Sequence, residues 1–252
     1  MNNIKSPRSA VPRTFLTAII FLLLLVPSMT AAQVVPEASA AFTLGFPSGE
    51  FADNVPGTGI GIDLTGGIQL AGSPLFLGAE LGFLIHGRES RREPFSTTIP
   101  DVEVRVITSN NILNGHLFLR LQPGVGSIRP YFDAFIGFKY LFTLTEIRNV
   151  WYSDDDEPIA SSTNLGDIAF SRGVGFGVAI NLLEDNWSSD SGKDQAVGLY
   201  LDLGVRYLLG SEADYLKKGS IERLGDGTIH FDIERSRTDV IHPMIGIRAT
   251  FR

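Results

Sequence analysis

Cysteine is absent from the 252-residue sequence. Without it the chain has no disulfide, no thiolate metal site and no lipid anchor on an N-terminal cysteine. Long hydrophobic runs are also missing, since none reaches the roughly 18 residues that a membrane-spanning helix requires. Positive charge is in deficit, with 21 Lys and Arg against 28 Asp and Glu. A deficit of this sign argues against binding of nucleic acid, which favours a basic surface.

Residues 14–26 (TFLTAIIFLLLLV) form the most apolar run in the sequence. The basic residues Lys5, Arg8 and Arg13 precede this run, and the mostly small residues 28–32 follow it. A basic start, a short apolar centre and a small-residue exit are typical of a secretory signal peptide. We therefore predict a signal peptide at residues 1–32, with cleavage after Ala32. Residues 33–252 then carry 18 basic and 28 acidic residues, a net charge of −10.

Residues 129–146 (RPYFDAFIGFKYLFTLTE) alternate strictly between two kinds of side chain. Every even position from Pro130 to Leu144 is apolar, whereas the odd positions include Asp133 and Lys139. Such alternation predicts a strand with two different faces. The same pattern predicts eight strands in all, at 38–46, 58–70, 75–86, 113–122, 129–146, 170–182, 197–209 and 241–251. Most of them have about 9–13 residues, which suits tilted strands that cross a bilayer.

The connections between these strands alternate in length, which is typical of outer-membrane barrels. Long polar loops, predicted to be extracellular, occupy 88–111, 147–168 and 210–239, whereas the connections after the second and fourth strands are short turns. The connection at 184–195 is longer than this pattern expects. Residues 102–106 and 229–233 alternate again with opposite parity, and we predict that they are barrel strands continuing past a bulge.

The face opposite the apolar one is rich in glycine and carries charge. An eight-stranded barrel has an interior only wide enough for side chains to fill it, so the bulky apolar face must point outwards to lipid. The sequence therefore predicts an all-β, eight-stranded, antiparallel up-and-down transmembrane β-barrel over residues 33–252. Its predicted lumen ion-pair network consists of Asp63, Glu80, Arg120, Asp133, Lys139, Asp202, Arg206 and Arg248.

Two acids of this network are predicted neighbours across the turn at 71–74. Asp63 and Glu80 would repel each other unless Arg206 or Lys139 lies between them. Two interpretations remain for the network: a static salt-bridged core, which we favour, or a gate or proton-responsive plug. Three histidines, His86, His116 and His242, are predicted to fill the lumen rather than to bind a ligand.

With eight strands counted, the sequence resembles the small OmpA/OmpX-like outer-membrane β-barrels of Gram-negative bacteria. The resemblance covers nearly all of 36–252, and its carriers are the strand patterns, FTLGFPSGEFADN (42–54) and the final PMIGIRATF. It implies an outer-membrane location, contact with outer-membrane lipid and lipopolysaccharide, and recognition of the C-terminal strand by the barrel-assembly machinery. Members typically end on an aromatic residue, whereas here Phe251 is followed by Arg252.

Two sets of outward residues are predicted at the membrane edges. Cations near the upper edge could pair with lipopolysaccharide phosphates, namely Arg88, Arg91, Arg92 and Arg172. Aromatic girdles are predicted from Phe46, Tyr140, Phe142, Phe170 and Tyr207 at the upper edge and from Phe132 and Phe251 at the lower one. In the loop at 147–168, Trp151 and Tyr152 offer an aromatic contact point. The acidic run 154–157 is interpreted as a solvated tip, with a divalent cation as the alternative.

Function is the least determined property. We favour a structural or interaction barrel with a charge-plugged interior that acts through its extracellular loops. The alternative is a narrow porin-like channel for small solutes, and a minor alternative is a lipid-modifying enzyme. No catalytic residue, metal site or cofactor is predicted, because none of the four histidines has the serine two residues away that lipid A deacylases use. The sequence does not indicate an extracellular partner.

Overall fold

The computed structural model describes residues 34–70, 72–96, 99–149, 158–185, 197–223 and 228–251. The predicted signal peptide lies outside the described residues. The elements in chain order are β1 (Val34–Pro47), α1 (Glu50–Asn54), β2 (Gly59–Leu70), β3 (Leu75–Ser96), β4 (Ile99–Leu121), β5 (Ile128–Asn149), β6 (Ala160–Asp185), β7 (Val197–Gly210), β8 (Glu212–Arg223), β9 (Ile229–Arg237) and β10 (Val240–Phe251).

Eight of these strands close into one barrel in the order β1-β10-β7-β6-β5-β4-β3-β2. All neighbours are antiparallel, and β10 closes the ring by pairing with β1, for example Phe42 with Ile245. The predicted all-β, antiparallel, eight-stranded up-and-down architecture is therefore confirmed. Closure leaves no strand edge within the barrel. Among the described residues, no helix is long and apolar enough to span a membrane.

The four longest barrel strands exceed their predicted lengths, with 22 residues in β3, 23 in β4, 22 in β5 and 26 in β6. The prediction of a loop at 88–111 is wrong, because β3 and β4 pair from Arg88–Ser109 up to Ser96–Ile99. A register shift between Ile85 and Gly87 reverses the alternation there. Residues 102–106 thus continue a barrel strand, as predicted, but the bulge lies on the partner strand β3 and not on β4.

Residues 210–239 form a hairpin rather than a plain loop. Strands β8 and β9 pair with each other as a separate two-stranded sheet. The prediction that 229–233 continues a barrel strand is therefore wrong, because β9 pairs only with β8 among the described elements.

The loop at 147–168 is also shorter than predicted, since β5 extends to Asn149 and β6 begins at Ala160. Trp151, Tyr152, the acidic run 154–157 and residues 186–196 lie outside the described residues.

The two faces of the barrel wall have opposite character. On β2, Ile62 is 58% exposed on the outer face, whereas the adjacent Asp63 is 1% exposed inside. The same contrast occurs on β4, where Leu117 and Leu119 are exposed while His116 and Arg120 are buried. Over these strands the charged and polar side chains thus lie in the barrel interior, whereas most of the outward side chains are apolar.

Candidate functional site

The lower end of the interior, where β1 begins and β10 ends, is closed by a hydrogen-bonded layer. Arg129 Nη2 donates to Glu37 Oε1 at 2.7 Å, and its Nε donates to the carbonyl of Pro123 at 2.9 Å. Gln122 Nε2 donates to Gln69 Oε1 at 2.6 Å and to Glu37 Oε2 at 3.1 Å. Because these side chains are buried and satisfied, the layer behaves as a solid floor.

A second group of contacts surrounds Asp202. Arg248 Nη2 lies 2.6 Å from Asp202 Oδ2, and its Nη1 donates to Gln122 Oε1 at 2.8 Å, which joins this group to the floor. The hydroxyl of Tyr131 donates to the other carboxylate oxygen of Asp202 at 2.7 Å. Both oxygens of the buried acid are therefore occupied.

Arg120 and Asp133 form a two-point ion pair just beside this group. Arg120 Nε and Nη2 donate to the two oxygens of Asp133 at 2.6 and 2.8 Å. The guanidinium also lies 4.0 Å from the centre of the Tyr131 ring and 5.2 Å from that of Phe118. The parallel hydrogen bonds fix orientation, and the ring faces accommodate the positive charge where water is excluded.

Half-way up the interior, Arg206 bridges the two acids that the sequence placed side by side. Its Nη1 donates to Asp63 Oδ2 at 2.9 Å and forms an ion pair with Glu80 Oε2 at 2.6 Å. The guanidinium also lies 5.3 Å from the centre of the Phe135 ring. Of the two cations proposed from sequence, Arg206 is therefore the one that separates these acids.

Lys139 differs from the sequence expectation. Although it is completely buried, no carboxylate of the described residues lies within salt-bridge distance of it. Instead, Lys139 Nζ donates to the carbonyls of Leu208 at 2.9 Å and Thr238 at 2.5 Å. The ammonium group thus ties the top of β7 to the residues that precede β10. Assigning Lys139 to the ion-pair network is wrong, since its partners are backbone carbonyls.

Glycines on the inner face make room for this filling. Around Tyr131, a Cβ on Gly177 would meet the tyrosine hydroxyl and ring, and a Cβ on Gly204 would meet the hydroxyl at 2.5 Å. The ring therefore occupies the space that two side chains would otherwise take. This explains how a narrow lumen holds bulky aromatic and guanidinium groups together.

The upper end of the interior is closed by apolar side chains. Phe51 of α1 is fully buried, and its ring packs edge-on against Tyr215 of β8, with centroids 5.1 Å apart. Asn54 Nδ2 donates to the Tyr215 hydroxyl at 3.1 Å. The apolar cap, as we call this cluster, consists of Phe51, Val55, Leu84, Ile112, Leu141, Ala169, Ala213, Tyr215 and Val240.

Three buried charged residues escaped the sequence analysis, namely Glu37, Arg129 and Asp239. Glu37 and Arg129 are 4% and 1% exposed and pair with each other in the floor. Strand parity could have found both, since Arg129 shares the parity of Asp133, and Glu37 shares that of Ser39 at the start of β1. Adding Glu37 and Arg129 to the eight predicted residues gives five acids and five bases, and the buried Asp239 adds a sixth acid.

Three polar residues form an arrangement that resembles a catalytic triad. His116 Nε2 lies 2.8 Å from Ser171 Oγ, and His116 Nδ1 lies 3.5 Å from Glu80 Oε1. Serine, histidine and carboxylate in this order are the arrangement that activates a nucleophile. However, Ser171 has no exposed surface. Because 55 residues separate His116 from Ser171, no short sequence spacing could have revealed the contact.

The other two lumen histidines also lie inside. His242 is 1% exposed, and His86 is 9% exposed, with its ring 5.7 Å from that of Phe51. No group of three or more His, Asp or Glu among the described residues could hold a metal ion.

The outer surface carries the predicted aromatic residues. Phe46, Phe132, Phe170, Tyr207 and Phe251 are 39–52% exposed. Tyr140 and Phe142 are half-buried because they stack on each other, with ring centroids 5.2 Å apart and planes inclined by 19°. All seven point away from the interior.

The four cations proposed to contact lipopolysaccharide divide into two sets. Arg88, Arg92 and Arg172 are exposed on the outer face. Arg91 points the other way, because its Nη1 donates to the carbonyl of Ile221 in β8 at 2.9 Å and its Nε pairs with Glu93. Arg91 thus anchors the hairpin to β3, and its inclusion among the lipid contacts is wrong.

No protein-family model matches the chain, and no curated protein matches it by sequence. Solved structures that are similar to it include two outer-membrane proteins. Neisserial surface protein A is 11% identical, with a TM-score of 0.36 over 88% of this chain and 98% of that one. A major outer membrane protein from Thermus thermophilus is 14% identical, with a TM-score of 0.34 over 85% of this chain and 99% of that one. Identities of this size concern the fold alone.

Proposed function

We propose that this chain is an integral β-barrel of the outer membrane with a sealed interior, and that it acts through the surface it presents outside the cell. The observation that carries the proposal is the filling of the lumen. The floor, the Asp202 and Arg206 ion pairs and the apolar cap follow one another from the lower end to the upper end.

The outer surface supports a membrane location. A 12-residue strand such as β2 is about 40 Å long, and a tilt of about 40° reduces this to about 30 Å, the thickness of a bilayer core. Its outward residues Ile60, Ile62 and Leu64 are all 55–58% exposed. Since exposed apolar surface on this scale is unfavourable in water, outer-membrane lipid and lipopolysaccharide are the proposed surroundings. β10, which ends at Phe251, is the proposed signal for the barrel-assembly machinery.

A sealed interior argues for a plug rather than a channel. Opening a path would require buried pairs such as Arg206 with Glu80 to separate and the side chains packed around them to move aside. Removing one partner from a buried ion pair typically costs about 3–5 kcal/mol. The interior contains several such pairs, so the closed state is strongly favoured.

The burial of Ser171 supports a non-enzymatic role. Hydrolysis by a serine requires that its Oγ touches the substrate, and the Ser171 Oγ is enclosed by the barrel wall and by His116. The hydrogen bond between His116 Nε2 and Ser171 Oγ instead gives each of these two buried groups a partner inside the lumen.

The hairpin offers the surface for interaction. Ile229, Phe231 and Ile233 alternate along β9 and are 55%, 38% and 51% exposed. Apolar side chains grouped outside a barrel mouth are typical of contact surfaces. We therefore assign the proposed interaction with an extracellular partner to β8 and β9.

A conductance measurement tests the proposal. The full-length chain would be expressed in a Gram-negative bacterium and purified from the outer-membrane fraction, and its folding would be verified by a heat-dependent gel shift. We expect the protein in this fraction and a silent planar bilayer at two salt concentrations. Conductance steps whose size scales with salt concentration would overturn the proposal of a sealed interior. Recovery of the protein in another cell fraction would overturn the proposed location.

A further inference from the structure

A groove on the outer wall lies where β7 ends and the hairpin begins. Its lining includes Phe170 and Arg172 of β6, Leu209 of β7, Ser211, Glu212 of β8 and Arg237 of β9. The groove is built on fixed backbone, because Ser211 N donates to the carbonyl of Phe170 at 2.8 Å and Phe170 N donates to Ser211 Oγ at 2.9 Å. Two guanidinium groups therefore face one surface depression at the upper edge of the barrel.

Neither guanidinium group forms an ion pair within the described parts of the chain, since no carboxylate of those parts lies within salt-bridge distance of the Arg172 or Arg237 guanidinium. One carboxylate lies close to Arg237, because Glu50 Oε2 accepts a hydrogen bond from its backbone N–H at 3.2 Å. By contrast, the exposed hairpin cations Lys217 and Arg235 each contact carboxylates. Acidic residues outnumber basic ones in this chain, yet neither guanidinium group of the groove is paired with one of them. Two such guanidinium groups in one groove therefore favour an anion from outside the protein.

The carboxylate in the groove is already engaged. Glu212 Oε2 lies 3.3 Å from Arg235 Nε, so its charge is offset from the far side. The groove is therefore lined by two guanidinium groups and by one carboxylate, which is already paired with Arg235.

The surroundings of Arg172 indicate which anion fits. Its register neighbours are Ile136 on β5 and Leu209 on β7, and Phe170 beside it is 52% exposed. Below it on the same outward row, Val174 and Phe176 are exposed. A cation placed next to lipid-facing apolar residues is unfavourable unless its head group reaches the interface and finds a counter-charge.

We propose that this groove binds the phosphate of an outer-leaflet lipid of the lipopolysaccharide type. Arg172 and Arg237 hold the phosphate, and an acyl chain lies along the apolar row below Phe170. Guanidinium groups suit phosphate because they donate two parallel hydrogen bonds. This inference rests on the proposed outer-membrane location and assigns one lipid site within it.

The test compares lipid A with the same lipid after removal of its phosphates. Binding to the purified full-length protein in nonionic detergent would be measured by native mass spectrometry for wild type, Arg172→Gln, Arg237→Gln and the double variant. Lys218→Gln is the matched control, since Lys218 is an exposed cation of the same hairpin that does not line the groove. Loss of one charge-assisted hydrogen bond corresponds to about tenfold in affinity.

We expect wild type and Lys218→Gln to prefer the phosphorylated lipid, each single groove variant to bind it about tenfold more weakly, and the double variant to have no preference. An unchanged preference in the double variant would overturn the site, as would an equal loss in Lys218→Gln. Displacement of the lipid by millimolar inorganic phosphate would mean a free-anion site instead. If the protein is folded and recovered in the outer membrane, a negative result removes only the groove; if it is not, the proposed location fails too.

Discussion

Ion pairs inside the barrel and ion pairs on the hairpin have the same lengths but different surroundings. Arg206 lies 2.6 Å from Glu80 inside, and Lys217 lies 2.6 Å from Glu234 outside. The interior side chains are 3% and 1% exposed, whereas those of the hairpin pair are 36% and 28% exposed. Geometry alone therefore says little about the contribution of a salt bridge to stability.

The surroundings determine the cost of breaking each pair. A charge left alone in the lumen cannot regain its hydration, because neighbouring side chains fill the space around it. A charge left alone on the hairpin is solvated at once and screened by salt. Under the proposed function, the interior pairs keep the lumen closed, whereas the hairpin adjusts to a partner at little cost.

Replacement of Arg206 is expected to have the largest effect. Arg206→Ala leaves Asp63 and Glu80 buried together without their cation, which should lower the free energy of unfolding by about 3–5 kcal/mol. Urea unfolding of the barrel, followed by the heat-dependent gel shift, measures the change. Adding Asp63→Asn and Glu80→Gln to the same variant should restore part of the loss, because no buried charge then lacks a partner. An unfolding midpoint equal to wild type would refute the locked interior.

The apolar cap provides the next comparison, between the two seals of the lumen. Phe51→Ala empties the space beside Tyr215 and His86, and a buried phenylalanine of this kind is worth about 3 kcal/mol. We expect lower stability and a bilayer that remains silent, since the layers around Arg206 and Arg129 still close the lumen. If this variant conducted ions, the apolar cap, and not the charged layers around Arg206 and Arg129, would be what closes the lumen.

Sequence reasoning found the architecture because strand alternation is a local signal with a period of two. It also found most interior charges, since parity assigns each strand residue to a face. Sequence reasoning failed where a bulge reversed the alternation of a strand, and where a contact joined residues far apart in the chain. The bulge after Ile85 reversed the faces of β3, and the burial of Phe51 depends on loops that fold back over the mouth. The contact of His116 with Ser171 joins strands far apart in the chain.

Replacement of Lys139 is expected to have a smaller effect than that of Arg206, because no carboxylate of the described residues forms a salt bridge with Lys139. Lys139→Met keeps the volume but leaves the carbonyls of Leu208 and Thr238 without this donor. Unsatisfied buried acceptors cost about 1–3 kcal/mol, and that is the expected loss in urea unfolding. A loss as large as that of Arg206→Ala would mean that Lys139 compensates a lumen acid after all.

The hairpin pair is expected to give the smallest effect. Its hydrogen bond to Glu234 raises the pKa of Lys217. The pair therefore contributes fully below the ordinary lysine pKa of about 10.4 and loses its contribution only as the pH rises through the raised value. Between about pH 6 and pH 9 the lysine stays charged, so the contribution of the pair should not change with pH. Because solvated pairs contribute little to stability, Lys217→Ala and wild type should have superimposable unfolding curves at each pH. A clear fall in the midpoint for Lys217→Ala would show that the hairpin supports the barrel, and the contrast between inner and outer pairs would then disappear.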